Sequence, residues 1–370
     1  MAKVEMGYLS YLRMTVHKIR LCQAFILVAV LCLWLADVLA AELTPVKSVL
    51  QTQHHTTDID SMLRARVTRT VPMMSTRVEF IVVTEEAAKA EAAIDLAIAE
   101  MERIILVMSE WQADSMISSV NQAAGKRPVH ISAELFELLT AAQQLSQQTQ
   151  GKFDITFASV GKLWDFRKAQ IPTPAQINRA IRRIDYTRLK LDRKNMTAFI
   201  THPGTQIGLG GIAKGYAVDR ASDILRQQGF GEFSVNAGGD LYAEGQHKNG
   251  LWQVGIQNPR NTDQLIALLP IANSAVATSG DYERFFIHDG KRYSHIIDPH
   301  TGYPANHCQA VTVLAPRAFM ADAIATGVFV LGVEKGLALV NRLAGVEAVV
   351  IDAQGKMHVS TGLPILDPSE

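Results

Sequence analysis

The sequence predicts an α+β fold, with helices and mixed or antiparallel sheets gathered into separate groups. Three observations predict it. The stretch from Glu85 to Met108 is rich in Ala and Glu, with apolar residues at helical spacing. From Leu189 onward, short β-branched runs and Gly-containing turns dominate. Strands and helices do not alternate strictly, which disfavours a doubly wound parallel sheet.

The N-terminus reads as a targeting segment. Arg13, Lys18 and Arg20 precede an apolar run from Leu21 to Leu35, and Val38-Leu39-Ala40 resembles a signal-peptidase site. The run also approaches the length that spans a bilayer, so residues 1–40 are expected to be a cleaved signal or an anchor. Either places the globular part outside the cytoplasm, in the periplasm or on the periplasmic face of the inner membrane. Residues 41–70 are polar and mixed and are expected to be a flexible tether, leaving a catalytic unit over 71–365.

The whole chain of 370 residues has 36 Lys+Arg and 36 Asp+Glu, a balance that disfavours nucleic-acid binding by phosphate neutralisation. Removing residues 1–40 takes away four basic and two acidic side chains and leaves a net charge of −2. It also removes Cys22 and Cys32. The remaining Cys308 cannot form an intramolecular disulfide and reads as a packed thiol near a strand.

Within the catalytic unit, Arg77–Thr84 alternates and is expected to be the first strand. The Glu85–Met108 helix follows, then a polar loop from Ser109 to Ser119. A second helix spans about Ser132 to Thr149 and is broken by Gly151. Pro172 and Pro174 open another, through about Arg183, with Thr173 as its cap. Further helices are expected over Ile212–Gln228, Arg317–Val330 and Glu334–Leu343. Strands are expected at 231–236, 251–256, 274–278, 284–287, 293–297, 309–315, 346–352 and 356–359.

Several segments can carry chemistry. In Gly208-Leu209-Gly210-Gly211-Ile212-Ala213-Lys214, a strand-like stretch enters a Gly-rich bend and a helix leaves it. Glycines there let backbone N–H groups approach a phosphate, and Lys214 adds a positive charge. Gly208, Gly210 and Ala213 also match the dinucleotide fingerprint, but the next strand leads into another glycine turn rather than to an acidic residue. Lys214 is followed by Gly215, so this is not a P-loop. A tight packing turn is the alternative.

Asp322 and Thr326 lie four residues apart in a predicted helix, so a carboxylate and a hydroxyl share one face. Both are hard oxygen ligands suited to Mg²⁺; a structural cap or a buried hydrogen bond explains them as well. Ser294–Gly302 contains His295 and an Asp298-Pro299-His300-Thr301-Gly302 turn, where His295 faces a ligand or is a satisfied strand histidine. Ser279 and Gly280 sit at a strand end suited to a ligand contact. Lys152, Phe153 and Asp154 follow a helix, and Phe153 or Trp111 can cover a flat ring or simply pack in the core.

Taken together, these segments resemble the ApbE family of FAD:protein FMN transferases. The markers run in order: Met74-Ser75-Thr76, the loop from Trp111 to Asn121, Phe153-Asp154-Ile155-Thr156, the segment Leu209 to Asp219, Asn236-Ala237-Gly238-Gly239-Asp240, Ser279-Gly280-Asp281-Tyr282, His295 to Gly302, and Ala321 to Thr326. The resemblance implies a T-fold-like core in which Met74, Trp111, Phe153, Asp154, Lys214, His295 and Ile297 line an FAD site, with Lys152, Gly208 and Ser279 from the same motifs. It implies Mg²⁺ between Asp322, Thr326 and the Gly211 carbonyl, with Asp322, Lys214 and His295 as catalytic candidates. The implied reaction cuts FAD, releases AMP and leaves FMN on a threonine of a target protein, such as a subunit of a membrane redox complex. One position departs: the family commonly has Asp immediately before Leu-Gly-Gly, and here it is Gly208. An FAD hydrolase and a non-catalytic exported flavin-binding module are the rival readings.

Overall fold

The computed structural model describes residues 65–246, 250–363 and 365–366, all within one unit spanning 58–370. The expected signal or anchor and most of the tether lie outside the described residues.

A period-two burial pattern organises the fold. In β2 (Thr76–Thr84), Val78, Phe80 and Val82 point into the main core, while Ile81 enters a second apolar cluster on the opposite face. β13 (Cys308–Ala315) and β14 (Glu347–Asp352) behave alike: Val311, Val313, Ala348 and Val350 face one way, Ala310, Val349 and Ile351 the other. Such strands require cover on both faces. They belong to an eight-stranded antiparallel sheet ordered β1-β2-β6-β7-β10-β13-β14-β15, with β1 at Ala65–Met73, β6 at Phe233–Ala237, β7 at Asp240–Glu244, β10 at Ser274–Gly280 and β15 at Met357–Val359.

Helices cover the main-core face. Helix α1 (Ala87–Met108) buries Ala90, Ala93, Ile94, Ala97, Met101, Ile104 and Met108, the stripe its spacing predicts. Helices α2 (Met116–Gln122) and α3 (Ala133–Gln148) start at Ser115 and Ser132, whose hydroxyls accept from the backbone N–H groups of Ser118 and Leu135. After the short α4 (Ala158–Gly161) comes α5 (Pro174–Ile181), which carries the expected Thr173 cap as a full capping box with Gln176. Helices α6 (Ala213–Gln227) and α7 (Ala318–Leu331) pack together, α7 lying on β10 and β13; α8 (Val333–Val340) follows. The other sheet face is covered by the hairpin of β8 (Trp252–Asn258) and β9 (Asn261–Ile271). A smaller three-stranded sheet, β3 (Val129–His130), β5 (Thr197–Ile200) and β4 (Leu189–Asp192), and the hairpin of β11 (Phe285–His288) and β12 (Lys291–Ser294) complete it.

The α+β expectation holds, and every strand pairing among the described residues is antiparallel. Three local expectations change. Residues 65–70, expected in the tether, form the first part of β1, so the strand at Arg77 is the second. Edge strand β1 carries exposed Arg66, Thr68 and Thr70, and only Val67 is buried, so it reads as polar linker. The loop expected at Ser109–Ser119 contains the start of α2. Strands β3, β4, β5, β7 and β9 had no counterpart in the expected elements.

Candidate active site

The Gly-rich bend is anchored from two sides. The buried Asn121 side chain donates to the Ile207 carbonyl (2.8 Å) and accepts from the Ile207 N–H (2.7 Å), acting as a substitute strand partner. Gly208 N–H donates to the Ile155 carbonyl at 2.8 Å. The chain then turns into α6 as Ala213 N–H reaches the Leu209 carbonyl at 2.8 Å. A Cβ on Gly211 would lie 3.3 Å from Thr326 Oγ1 and 3.4 Å from Phe153 Cε2, so the bend threads between a buried aromatic ring and the Thr326 hydroxyl.

Helix α7 is positioned by α6. The buried carboxylate of Asp219 accepts from the N–H groups of Ala318 (2.9 Å) and Phe319 (3.0 Å), satisfying donors that the first turn of α7 leaves free. Burial pushes this carboxyl above its usual range, opposed by Arg317 and these two amides. One turn earlier on α6, a Cβ on Gly215 would lie 2.5 Å from the Ala318 carbonyl carbon and 2.7 Å from Phe319 N, so only glycine permits the crossing. At this crossing Asp322 Oδ2 accepts from Gly215 N–H at 3.3 Å. Four residues on, Thr326 Oγ1 lies 3.3 Å from Ser279 Oγ of β10.

Charge concentrates beside that crossing. Lys214 Nζ donates to Asp240 Oδ2 at 2.6 Å, and the Asp240 side chain is 2% exposed. Asp240 follows a two-residue β6–β7 turn in which Gly238 and Gly239 both have positive φ (61° and 98°), which aims the first residue of β7 at α6. Burial pushes the Asp322 carboxyl well above its usual range; neighbouring Asp240 adds to this and Lys214 opposes it. For Lys214, burial works against the charged form, but Asp240, Asp322 and Glu283 outweigh it and hold the ammonium above its usual range. Two buried carboxyls therefore share one ammonium, a cluster with room for further positive charge.

His295 follows β12 and stays neutral near pH 7. Burial, then the Arg284 charge, lower its imidazole to about 4; Lys214 adds to this and the Arg284 carbonyl opposes it. Solvent nevertheless reaches part of the residue. Its Nδ1 lies 3.3 Å from the Arg284 carbonyl. A carbonyl can only accept, so Nδ1 carries the proton and Nε2 is left as an acceptor.

Thus Gly211, Phe153, Lys214, Ser279, Asp322 and Thr326 come together, with His295 on the edge of the same charged region. Other candidates are committed elsewhere. Lys152 Nζ grips both oxygens of Asp298, at 3.0 and 2.9 Å. Asp154 accepts from the Thr156 N–H and hydroxyl, both at 2.7 Å, and from the Tyr186 N–H at 2.9 Å; burial pushes its carboxyl up to about 6 against these bonds. Asp154 thereby shapes the loop that carries Phe153. Ile297 packs into a separate apolar cluster with Val160, Trp164 and Phe286. Met74 occupies the β1–β2 turn at φ 53°, partly packed against the main core, and Trp111 is 76% exposed in the α1–α2 loop. The site-residue expectations did not include Asp240 or Glu283, nor Glu110 beside Trp111. The Asn236–Asp240 glycine turn was the available signal for Asp240.

The donor set suits a hard divalent cation. A carboxylate and a hydroxyl share one face of α7, and the Gly211 backbone approaches that face where a Cβ would fill the space. Among the described residues no three His, Cys, Asp or Glu side chains form a metal cluster. An ion such as Mg²⁺ takes few protein ligands and fills its shell with water and phosphate oxygens.

The fold and this site define a class: an antiparallel α+β unit in which a Gly-rich bend faces a helical Asp–Thr pair. The ApbE family profile matches residues 74–350, and the chain belongs to that family. It is 34% identical over 296 residues to a protein of Treponema pallidum (strain Nichols) named FAD:protein FMN transferase, covering 75% of this chain and 82% of that one. A Klebsiella pneumoniae (strain 342) protein of the same name is 35% identical over 244 residues, covering 65% and 76%. Among solved structures, the ApbE protein of Thermotoga maritima superposes with a TM-score of 0.73 at 31% identity, covering 80% of this chain and 97% of that one. The flavin transferase ApbE of Vibrio cholerae gives 0.72 at 29%, covering 80% and 98%.

Proposed function

We propose that this chain is an FAD:protein FMN transferase that moves FMN from FAD to a threonine hydroxyl and releases AMP. The observation that carries the reading is the meeting of Asp322 and Thr326 with the Gly211 bend beside Lys214, in a chain of this family. Asp322, Thr326 and the Gly211 carbonyl would hold Mg²⁺. When bound, the ion supplies charge neutralisation and orientation to the diphosphate, the two requirements of phosphoryl transfer. Lys214, steadied by Asp240, stabilises negative charge on the departing AMP phosphate. Phe153 walls one side of the bend against water. The threonine oxygen bonds to the FMN phosphorus as the bond to the AMP oxygen breaks. Neutral His295 offers Nε2 as the acceptor for the hydroxyl proton. Asp298 is less suited to that role, because Lys152 and the His300 N–H already engage its carboxylate.

The basic residues and apolar run before position 40 support export, to the periplasm or to an anchored position on the inner membrane. A threonine-bearing subunit of a membrane redox complex is the matching acceptor. Incubation with FAD, Mg²⁺ and a threonine-bearing acceptor fragment, read by intact mass, should show the acceptor gaining FMN and AMP appearing in step. AMP release indifferent to the acceptor would select hydrolysis instead. A stably yellow protein that never releases AMP would select a binding module.

A further inference from the structure

Glu110 carries a carboxylate that the proposed reaction does not use. It stands between the end of α1 and the exposed Trp111, and is half-buried. Burial raises its carboxyl, opposed by hydrogen bonds from its own N–H and the Leu209 N–H and by the charge of Lys162. Among the described residues it makes no ion pair; Lys162 Nζ instead donates to Gln206 Oε1 at 3.2 Å. An ionised carboxylate has about four acceptor positions, so two backbone amides leave capacity over. A carboxylate half out of water without a cation partner is costly, which favours a use for it.

Its location is specific. A Cβ on Gly208 would lie 3.0 Å from Glu110 Oε1 and 2.9 Å from Ala158 Cβ. The Glu110 carboxylate therefore borders the space into which a side chain at 208 would grow, at the entrance of the Gly-rich bend. Next along the chain is the Trp111 indole, an exposed flat apolar surface. An aromatic plane beside a carboxylate is the chemistry that recognises a ring together with hydroxyl or amine donors, and acidic residues in dinucleotide sites take ribose hydroxyls in this way.

We propose that Glu110 supplies, from the α1–α2 loop, the carboxylate that hydrogen-bonds a hydroxyl or amine of the flavin dinucleotide at the Gly208–Gly211 bend. This rests on FAD being the substrate. Glycine at 208 then has a second cause beside the Ala158 contact: a carboxylate arriving from residue 110 and a side chain on residue 208 compete for one volume.

The test uses Glu110→Gln and Glu110→Ala in the full chain, with FAD binding followed by flavin fluorescence and labelling followed by mass. Gln retains an oxygen for the Leu209 N–H but loses the charge. Losing a charge-assisted hydrogen bond should weaken FAD binding roughly 10- to 100-fold, with the loss in KM for FAD rather than in kcat and with an unchanged melting temperature. Adding Gly208→Asp to Glu110→Ala should recover part of the affinity, while Gly208→Asp alone should weaken it. If the double variant melts early because of Ala158, the Glu110→Gln comparison alone decides. FAD affinity equal to the parent's in Glu110→Gln overturns the assignment; so does a loss confined to kcat or to melting temperature, which marks a purely structural clamp on Leu209. A parent that binds no FAD overturns the transferase reading first, and this inference with it.

Discussion

Replacing Gly215 with Ala tests how the site is held together. The new Cβ would fall 2.5 Å from the Ala318 carbonyl carbon and 2.7 Å from Phe319 N, and nearer still to the carbonyl oxygen. Ordinary carbon contacts begin near 3.5 Å, so α6 and α7 must part by roughly 1 Å, and the atoms in the way are backbone. Ala is worth about 1 kcal/mol over Gly inside a helix. Forcing packed elements apart typically costs about 1–3 kcal/mol and can cost more when backbone must move. With the cost at the upper end of that range, because the obstructing atoms are backbone, the expected net loss is about 2 kcal/mol, read as a lower urea midpoint with an unchanged slope. The same displacement carries Asp322 away from Gly215 N–H, now 3.3 Å distant, and away from the Lys214–Asp240 pair. Labelling should therefore fall even at temperatures where the variant is fully folded. Gly211→Ala is the control: its Cβ would come no nearer than 3.3 Å to Thr326 Oγ1 and 3.4 Å to Phe153 Cε2, both side-chain atoms, so the fold should lose less than about 1 kcal/mol. A Gly215→Ala protein as stable and as active as the parent would refute the claim that this crossing positions Asp322.

Asp219→Ala leaves the Ala318 and Phe319 N–H groups without acceptors and should cost about 2–4 kcal/mol in chemical denaturation, with Asp219→Asn recovering part. Asp322→Asn removes one of two buried carboxyls sharing Lys214. It should melt no lower than the parent without metal, lose the Mg²⁺-induced rise in melting temperature, and label roughly 10²–10³-fold more slowly; parental labelling would discard the metal site. His295 has a folded value of about 4 against roughly 6.5 unfolded. Between those values the unfolded chain binds more protons, so this group makes stability fall as pH drops from about 6.5 to 4. Proton NMR should show no His295 titration above about pH 5, and His295→Gln should flatten that part of the stability profile.

What the sequence disclosed depended on whether the signal was local. The α1 stripe, the Thr173 cap and the alternation of β2 are local patterns, and the structure repeats them. Asp322 and Thr326 were legible as a pair because helical spacing alone puts them on one face. The partnership of Lys214 with Asp240 joins residues 26 positions apart through a helix crossing a hairpin end, and no periodicity encodes that. Asp154 and Lys152 looked like ligand groups because carboxylate and ammonium beside a Phe suggest binding; only tertiary contacts reveal that backbone amides and Asp298 occupy them. Strand β9 was hidden because its first five residues are exposed and its inward alternation begins only near Ala267.

The site is specified chiefly by absences of side-chain bulk. Gly215 sets the approach of α6 to α7, Gly211 sets that of the bend to Thr326, and the Gly238–Gly239 turn aims Asp240 at Lys214. Each fixes backbone against backbone or backbone against a short side chain, where error is limited by van der Waals contact rather than by rotamer freedom. Apart from Lys214 and Phe153 beside the bend, long side chains enter at the rim, through Glu110 and Trp111, on a loop between α1 and α2. Under the proposed function, this division follows the chemistry. Groups acting on the diphosphate must be placed within fractions of an ångström, because phosphoryl transfer is governed by positioning. Groups that only hold the remainder of the nucleotide can tolerate a carboxylate delivered from residue 110 in place of one delivered from residue 208. Substitutions at the glycines should therefore lower kcat, whereas those at the rim should raise KM.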